Sequence, residues 1–353
     1  MITLRGEKQR MRKKTVLLLI LILAGASAVL TGLLLFYEQK MNAFITRSGK
    51  AREYDYHYLF ISSDHSDLMQ DIFLAASESA GEADGYLEWC GSQTDSSYSD
   101  ADCIDISIAM GADGIVVCPD GSSGQSEAIE RAYEAKIPVV TILRDLPDSR
   151  RISYAGVSGY QNGELYGERL VGLLRDGVND VCLLEDAKEE TDGSQLLYTQ
   201  VVQAVKHEAP SGKIMHLRTE KVDSLTDFDT EEVVRNLLLS DQVPDILICV
   251  SPVQTECAIQ ALVDYNLVGQ VQVIGYYVTD VILRALQQQL IPVTMTLDTS
   301  QLGKDCMQAL EEYRTYGRVS SYYNIPLDSI TPVTVDDYIR ESGALNSEEG
   351  GLS

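Results

Sequence analysis

The 34 residues from Gly111 to Arg144, GADGIVVCPDGSSGQSEAIERAYEAKIPVVTILR, constrain the fold more tightly than any other stretch of this chain. Ile115–Cys118 is a short apolar run between Gly114 and Pro119, which predicts a strand buried on both faces. Ser122–Ala135 follows at helical spacing, with Ala128, Ile129, Ala132 and Tyr133 on one side. Pro138 and Val139–Leu143 then give a second buried strand. Two such strands joined through a helix form a right-handed βαβ unit, and ligands of these sheets sit outside the carboxyl ends of the strands. Pro119–Asp120 and Arg144–Asp145 occupy those ends, so a polar cleft is expected there.

The same alternation continues along the chain. Further strands are expected at Tyr58–Ser62, Tyr86–Cys90, Ile152–Val157, Asp180–Glu185, Ile214–Glu220, Ile246–Val250, Val271–Tyr276, Val293–Leu297 and Tyr322–Ile330. Helices are expected between most of them, including Asp67–Gly81, Asn162–Leu174, Ser194–His207, Glu231–Leu239, Thr255–Tyr265 and Leu302–Tyr316. This is the pattern of an α/β protein with parallel sheets. Ten or more strands are too many for one comfortable sheet, so two similar lobes are expected.

Ahead of this region, Val16–Tyr37 runs for 22 residues without a charge. As a helix it would be roughly 33 Å long, enough for a bilayer core of about 30 Å. Arg5, Lys8, Arg10, Arg12, Lys13 and Lys14 precede it, and the positive-inside rule places that end in the cytoplasm. The run exceeds the roughly 7–15 apolar residues of a cleavable signal, so residues 15–37 are expected to be a retained signal-anchor. Residues 1–14 would then be a cytoplasmic basic tail and 38–54 a linker to an extracytoplasmic part, with the protein held at the cell membrane. Beyond the basic tail the chain has 22 basic against 52 acidic residues, which leaves no footprint for nucleic acid. The Gly-, Ser- and Glu-rich segment 341–353 is expected to be disordered.

The order of elements, together with GADGIVVCPDGSSGQSEAIERAYEAKIPVVTILRDLP and the following RISYAGVSGYQNGELYGERL, resembles the type I periplasmic binding proteins of the ribose/galactose branch. The resemblance spans roughly Tyr56 to Asp337. It implies two doubly wound parallel-sheet lobes joined by a hinge of three crossings, near Val157–Ser158, Leu297–Asp298 and Leu327–Ser329. Residues 55–157 plus 298–328 would form the first lobe, and 158–297 plus 329–340 the second. The implied function is that of a solute-binding protein that closes on a sugar or related small polar molecule. Its partner would be an ABC permease, or a sensor histidine kinase if the protein signals without transport.

Several positions depart from the family pattern. The loop after the first strand carries Ser63, Asp64, His65, Ser66 and Asp67, with no aromatic ring to stack on a sugar. After the fourth strand the usual Asp-Arg becomes Leu143–Arg144. By the resemblance, the family's second-lobe arginine falls on Gln195, its asparagine on Ser251, its aspartate on Tyr277 and its hinge glutamine on Leu297. Arg144 is expected either to hold ligand oxygens in a fork of hydrogen bonds or to pair with Asp145 or Asp148. Tyr276 and Tyr277 each offer a stacking face or a hydroxyl, or else simply core packing. Asp64, Asp67, Asp120 and Asp192 would together make the cleft negative, although Asp is also a common helix N-cap, a role open to Asp67 and Asp192.

Three of the seven cysteines, Cys118, Cys182 and Cys249, lie inside apolar runs, where cysteine behaves as a small hydrophobe. No Cys/His spacing indicates a metal site, and a Cys90–Cys103 disulfide stays open. GxSxG, GxxxxGK[ST] and HExxH are all missing, so neither a catalytic centre nor a cofactor is expected.

Overall fold

The computed structural model describes residues 54–90, 98–186, 192–222 and 227–342. The expected basic tail, the apolar span, the linker up to Glu53 and the terminal segment from residue 343 lie outside the described residues. Among the described residues no helix is long and apolar enough to cross a membrane.

In chain order the strands are β1 (Tyr56–Ile61), β2 (Gly85–Trp89), β3 (Gly114–Val117), β4 (Val139–Ile142), β5 (Ser153–Gly156), β6 (Gly177–Asp186), β7 (Lys213–Val222), β8 (Ile246–Ile248), β9 (Gln272–Tyr276), β10 (Val293–Leu297), β11 (Tyr322–Asn324) and β12 (Leu327–Ile330). The helices are α1 (Asp67–Glu82), α2 (Asp100–Met110), α3 (Gln125–Glu134), α4 (Gly159–Leu173), α5 (Asp192–Glu208), α6 (Asp227–Leu238), α7 (Pro252–Asp264), α8 (Asp280–Gln287), α9 (Thr299–Tyr316) and α10 (Val335–Ser342).

The strands form two six-stranded sheets. The first runs β11-β5-β4-β3-β1-β2, every pairing parallel. The second runs β12-β10-β9-β8-β6-β7 and is parallel except for β12, which lies antiparallel to β10. Parallel sheets are stable when both faces are covered, and here both are. In the first lobe, α1 and α9 share a core with Phe60, Val116 and Val140, while α2 and α3 cover Ile115, Val117 and Val139 on the other face. In the second, α4 and α5 pack on Val181, Leu183 and Ile248, and α6, α7, α8 and α10 pack on Cys182, Leu247 and Val273.

The chain passes between the sheets after Gly156, after Leu297 and after Asn324. The last passage corrects one expectation: Tyr322–Ile330 is not a single strand. β11 joins the first sheet and β12 the second, with Ile325–Pro326 between them. Pro326 has no N–H to offer a ladder, which suits a break at that point. The expected tail also starts later, because α10 continues through Glu341 to Ser342.

Candidate ligand cleft

Strand carboxyl ends from both sheets face a common cavity of about 210 Å³. That is below the roughly 300–1,000 Å³ of drug-sized ligand sites, so the cavity suits a small molecule. From the first lobe come Ser62, Ser63 and Asp64 after β1, Cys118, Pro119 and Asp120 after β3, and Leu143 and Arg144 after β4. From the second come Leu184 and Glu185 at the end of β6, Val250 and Ser251 after β8, and Tyr276 at the end of β9. Asn162 and Tyr166 of α4 complete the wall. Each first-lobe loop begins where a strand buried at its carboxyl end stops, so the fold itself aims these groups into the cavity.

Asp64 turns back on its own loop and accepts from the Ser66 N–H at 2.7 Å and the Ser66 hydroxyl at 3.0 Å. Asp120 accepts from the Ser122 N–H at 2.9 Å and from Gln125 Nε2 at 2.6 Å. Gln125 also donates to Asp100, at 2.9 Å. Asp100 is only 3% exposed, and burial, reinforced by the nearby Asp120 charge, pushes its carboxyl up to about 7. A buried acid thus braces the cleft carboxylate from behind.

Arg144 is half-buried, and its Nη1 donates to the Pro119 carbonyl at 3.4 Å. Of the two acids weighed as ion-pair partners, Asp145 is engaged by Arg151, with Nη2 to Oδ2 at 2.6 Å. Arg144 itself lines the cavity, in electrostatic reach of Asp100.

In the second lobe Ser251 lines the cavity while capping α7, its hydroxyl accepting from the Gln254 N–H at 3.2 Å. Tyr166, 1% exposed, donates from its hydroxyl to the Cys249 carbonyl at 3.1 Å, leaving its ring as an apolar wall. The Asn162 Oδ1 is buried without a hydrogen-bond partner at the cavity wall.

Asp64, Asp120, Arg144 and Ser251 are thus brought together, and two expected residues are not. Asp67 is the first residue of α1, with Ser66 as the N-cap, and it lines a different groove with Glu231 and Glu256. Its charge serves the positive end of the helix. Tyr277 is 2% exposed and points away from the cavity, its hydroxyl donating to Asp71 of α1. Tyr276, the last residue of β9, lines the cavity, whereas Tyr277 just beyond the strand turns into the core. Tyr277 also holds a φ of 70°, rare for a bulky residue, and is tied down through the Met295 carbonyl and the Thr294 hydroxyl. Leu297 is likewise core, packed in the first-lobe cluster. Gln195 falls within α5, but its side chain lies outside the described residues.

Sequence reasoning missed Tyr166, Asn162 and Glu185. The first two stand within YQNGELYG at the start of α4, where the spacing of Asn162 and Tyr166, four apart, puts both on one helical face.

Residues 58–317 match the family model described as periplasmic binding protein domain, and the chain belongs to that family. No curated protein matches the chain in sequence. Among solved structures, the glucose-galactose binding protein GanP from Geobacillus stearothermophilus aligns at 20% identity and a TM-score of 0.69, over 79% of this chain and 98% of that one. An ABC transporter solute-binding protein from Burkholderia graminis, in complex with D-arabinose, aligns at 17% identity and a TM-score of 0.71, over 82% and 99%. The XylFII–LytSN complex aligns at 21% identity and a TM-score of 0.68, over 78% and 98%. At these identities the likeness is one of fold.

Proposed function

We propose that this member of the periplasmic binding protein domain family is a membrane-anchored, extracytoplasmic solute-binding protein. Its two lobes, one built on each sheet, close on a sugar or related small polar molecule and present it to an ABC permease. The observation that carries this reading is the small cavity walled by polar strand ends of both sheets, with three chain passages between them. Hydroxyl-rich ligands suit such a wall. Asp64, Asp120, Glu185 and Asn162 supply acceptors, Arg144 supplies a multidentate donor, and the rings of Tyr166 and Tyr276 supply apolar faces. Binding and closure require no chemical step from the protein. The uncharged run Val16–Tyr37 and the basic residues before it support the anchor and its orientation.

A second reading, sensory input to a histidine kinase without transport, is favoured by two observations. One is the likeness to XylFII in its complex with LytSN. The other is that Tyr277 and Leu297 stand where the transport-type pattern has polar ligands.

Thermal-shift titration of the full chain with pentoses, hexoses, inositols and amino sugars tests the shared premise. A true ligand at a hundredfold its dissociation constant stabilises by about 2.7 kcal/mol, and a flat response across the panel would count against solute binding. The neighbouring genes then separate the readings: permease and ATPase genes for transport, a histidine kinase and response regulator for sensing.

A further inference from the structure

Cys90 directly follows β2, at the carboxyl edge of the first sheet, and Cys103 stands one turn into α2. Cys103 is buried among Ile61, Ile104 and Ile129, and the half-buried Cys90 packs against the same cluster. Twelve residues separate them in sequence, and their side chains lie close enough to perturb one another. Both neighbourhoods support the cleft. Trp89, next to Cys90, donates its indole N–H to the Ser62 carbonyl at 3.2 Å, and the first turn of α2 carries Asp100, which braces Asp120 through Gln125.

The contact divides the two thiols into different roles. The interaction with Cys103 lowers the Cys90 thiol, while the same interaction and burial push Cys103 well above its ordinary range. The more exposed sulfur is therefore the better nucleophile and the buried one its resolving partner.

We propose that Cys90 and Cys103 are a redox pair that closes into an intrachain disulfide, clamping α2 to the end of β2 beside the cleft. The oxidant is a small external disulfide, R–S–S–R. The Cys90 thiolate attacks one sulfur and expels the first thiolate. Cys103 then attacks the Cys90 sulfur of the mixed disulfide and expels the second. The two cysteines are oxidised, the reagent is reduced to two R–SH, and the two protein thiol protons end on the leaving groups.

The test uses the full chain, folded and incubated with oxidised glutathione, then acid-quenched, alkylated after denaturation and mapped by mass spectrometry. The expected product is a Cys90–Cys103 linked peptide, with Cys118, Cys182, Cys249 and Cys306 recovered as alkylated thiols. Its thermal midpoint rises by roughly 5 °C and falls back on reduction, as a short closed loop should give. Cys103→Ser should stop at a stable glutathione adduct on Cys90, and Cys90→Ser should leave Cys103 unmodified. A wild-type chain that retains both thiols, stops at the Cys90 adduct, or links either cysteine elsewhere overturns the proposal. An oxidised form no more stable than the reduced one overturns the clamp.

Discussion

Arg144 and Asp100 occupy opposite sides of one electrostatic unit, and each makes its own prediction. If a polar ligand binds, Arg144→Ala should weaken it by about 1.5–3 kcal/mol, the range for hydrogen bonds to a charged group, while the ligand-free thermal midpoint stays near that of the wild type. Calorimetric titration and a melt on the same variant check this. A lowered midpoint with unchanged affinity would make Arg144 a structural strut on the Pro119 carbonyl. Asp100 acts on stability. Its folded-state carboxyl lies near 7 against an ordinary 3.8, so the folded chain holds a proton between about pH 4 and pH 7 that the unfolded chain has lost. Stability is therefore fully present below that window and declines as pH rises through it. Asp100→Asn removes the slope. The variant should match the wild type near pH 4 and exceed it by roughly 1–3 kcal/mol at pH 8, read from urea unfolding at both values. An unchanged difference at the two pH values would show that Asp100 ionises freely. At this scale the sequence exposed the residues that strand ends dictate, Asp120 and Arg144. It could not expose Tyr277, because which of two adjacent tyrosines faces the cavity depends on register and on a backbone φ of 70°.

Strands were legible because buried parallel strands are short continuous runs rich in apolar and β-branched residues: β10 coincides with the expected Val293–Leu297, and β3 and β4 each end one residue early. Helices with a clear apolar side were legible too. α2 was not, because DADCIDISIAM alternates acidic and apolar residues with little helical asymmetry. Its order comes from local capping, with Ser99 accepting from the Asp102 N–H while Asp102 accepts from the Ser99 N–H, and from burial of Cys103 and Ile104. Pairing between helices distant in sequence was equally hidden. α9 returns more than 200 residues after α1 to pack on the same face of the first sheet, and Gly303 sets their approach. A Cβ there would lie 2.6 Å from the Ala76 nitrogen and 2.8 Å from the Ile72 carbonyl oxygen, both backbone atoms. Gly303→Ala should therefore force the helices apart and destabilise the chain by about 1–3 kcal/mol, despite the higher helix propensity of alanine. Denaturant melts check the sign; a more stable variant would mean that the helix pair slides at little cost.

At the scale of the whole molecule, charge bears on closure. The chain carries a net charge of −25, and the cleft sets Asp64 and Asp120 of one lobe opposite Glu185 of the other, against the single cation Arg144 among the lining residues described. If the lobes close as proposed, like charges come together before any ligand contact compensates. A pair of unit charges ~10 Å apart in water repels by about 0.4 kcal/mol, and the screening length falls from about 30 Å at 0.01 M salt to about 8 Å at 0.15 M. Added salt should therefore relieve the opposition to closure. For an uncharged sugar, affinity should rise roughly twofold to fourfold between those two salt concentrations, the reverse of the usual loss of electrostatic binding. A cationic amino sugar should show the opposite slope, because the carboxylates that resist closure would attract it and salt would screen that attraction. Titration calorimetry with one neutral and one cationic ligand at both salt concentrations separates the effects. Affinity for the neutral sugar that falls with salt would mean that the carboxylates do not oppose one another across the cleft, and that closure is governed by the hinge alone.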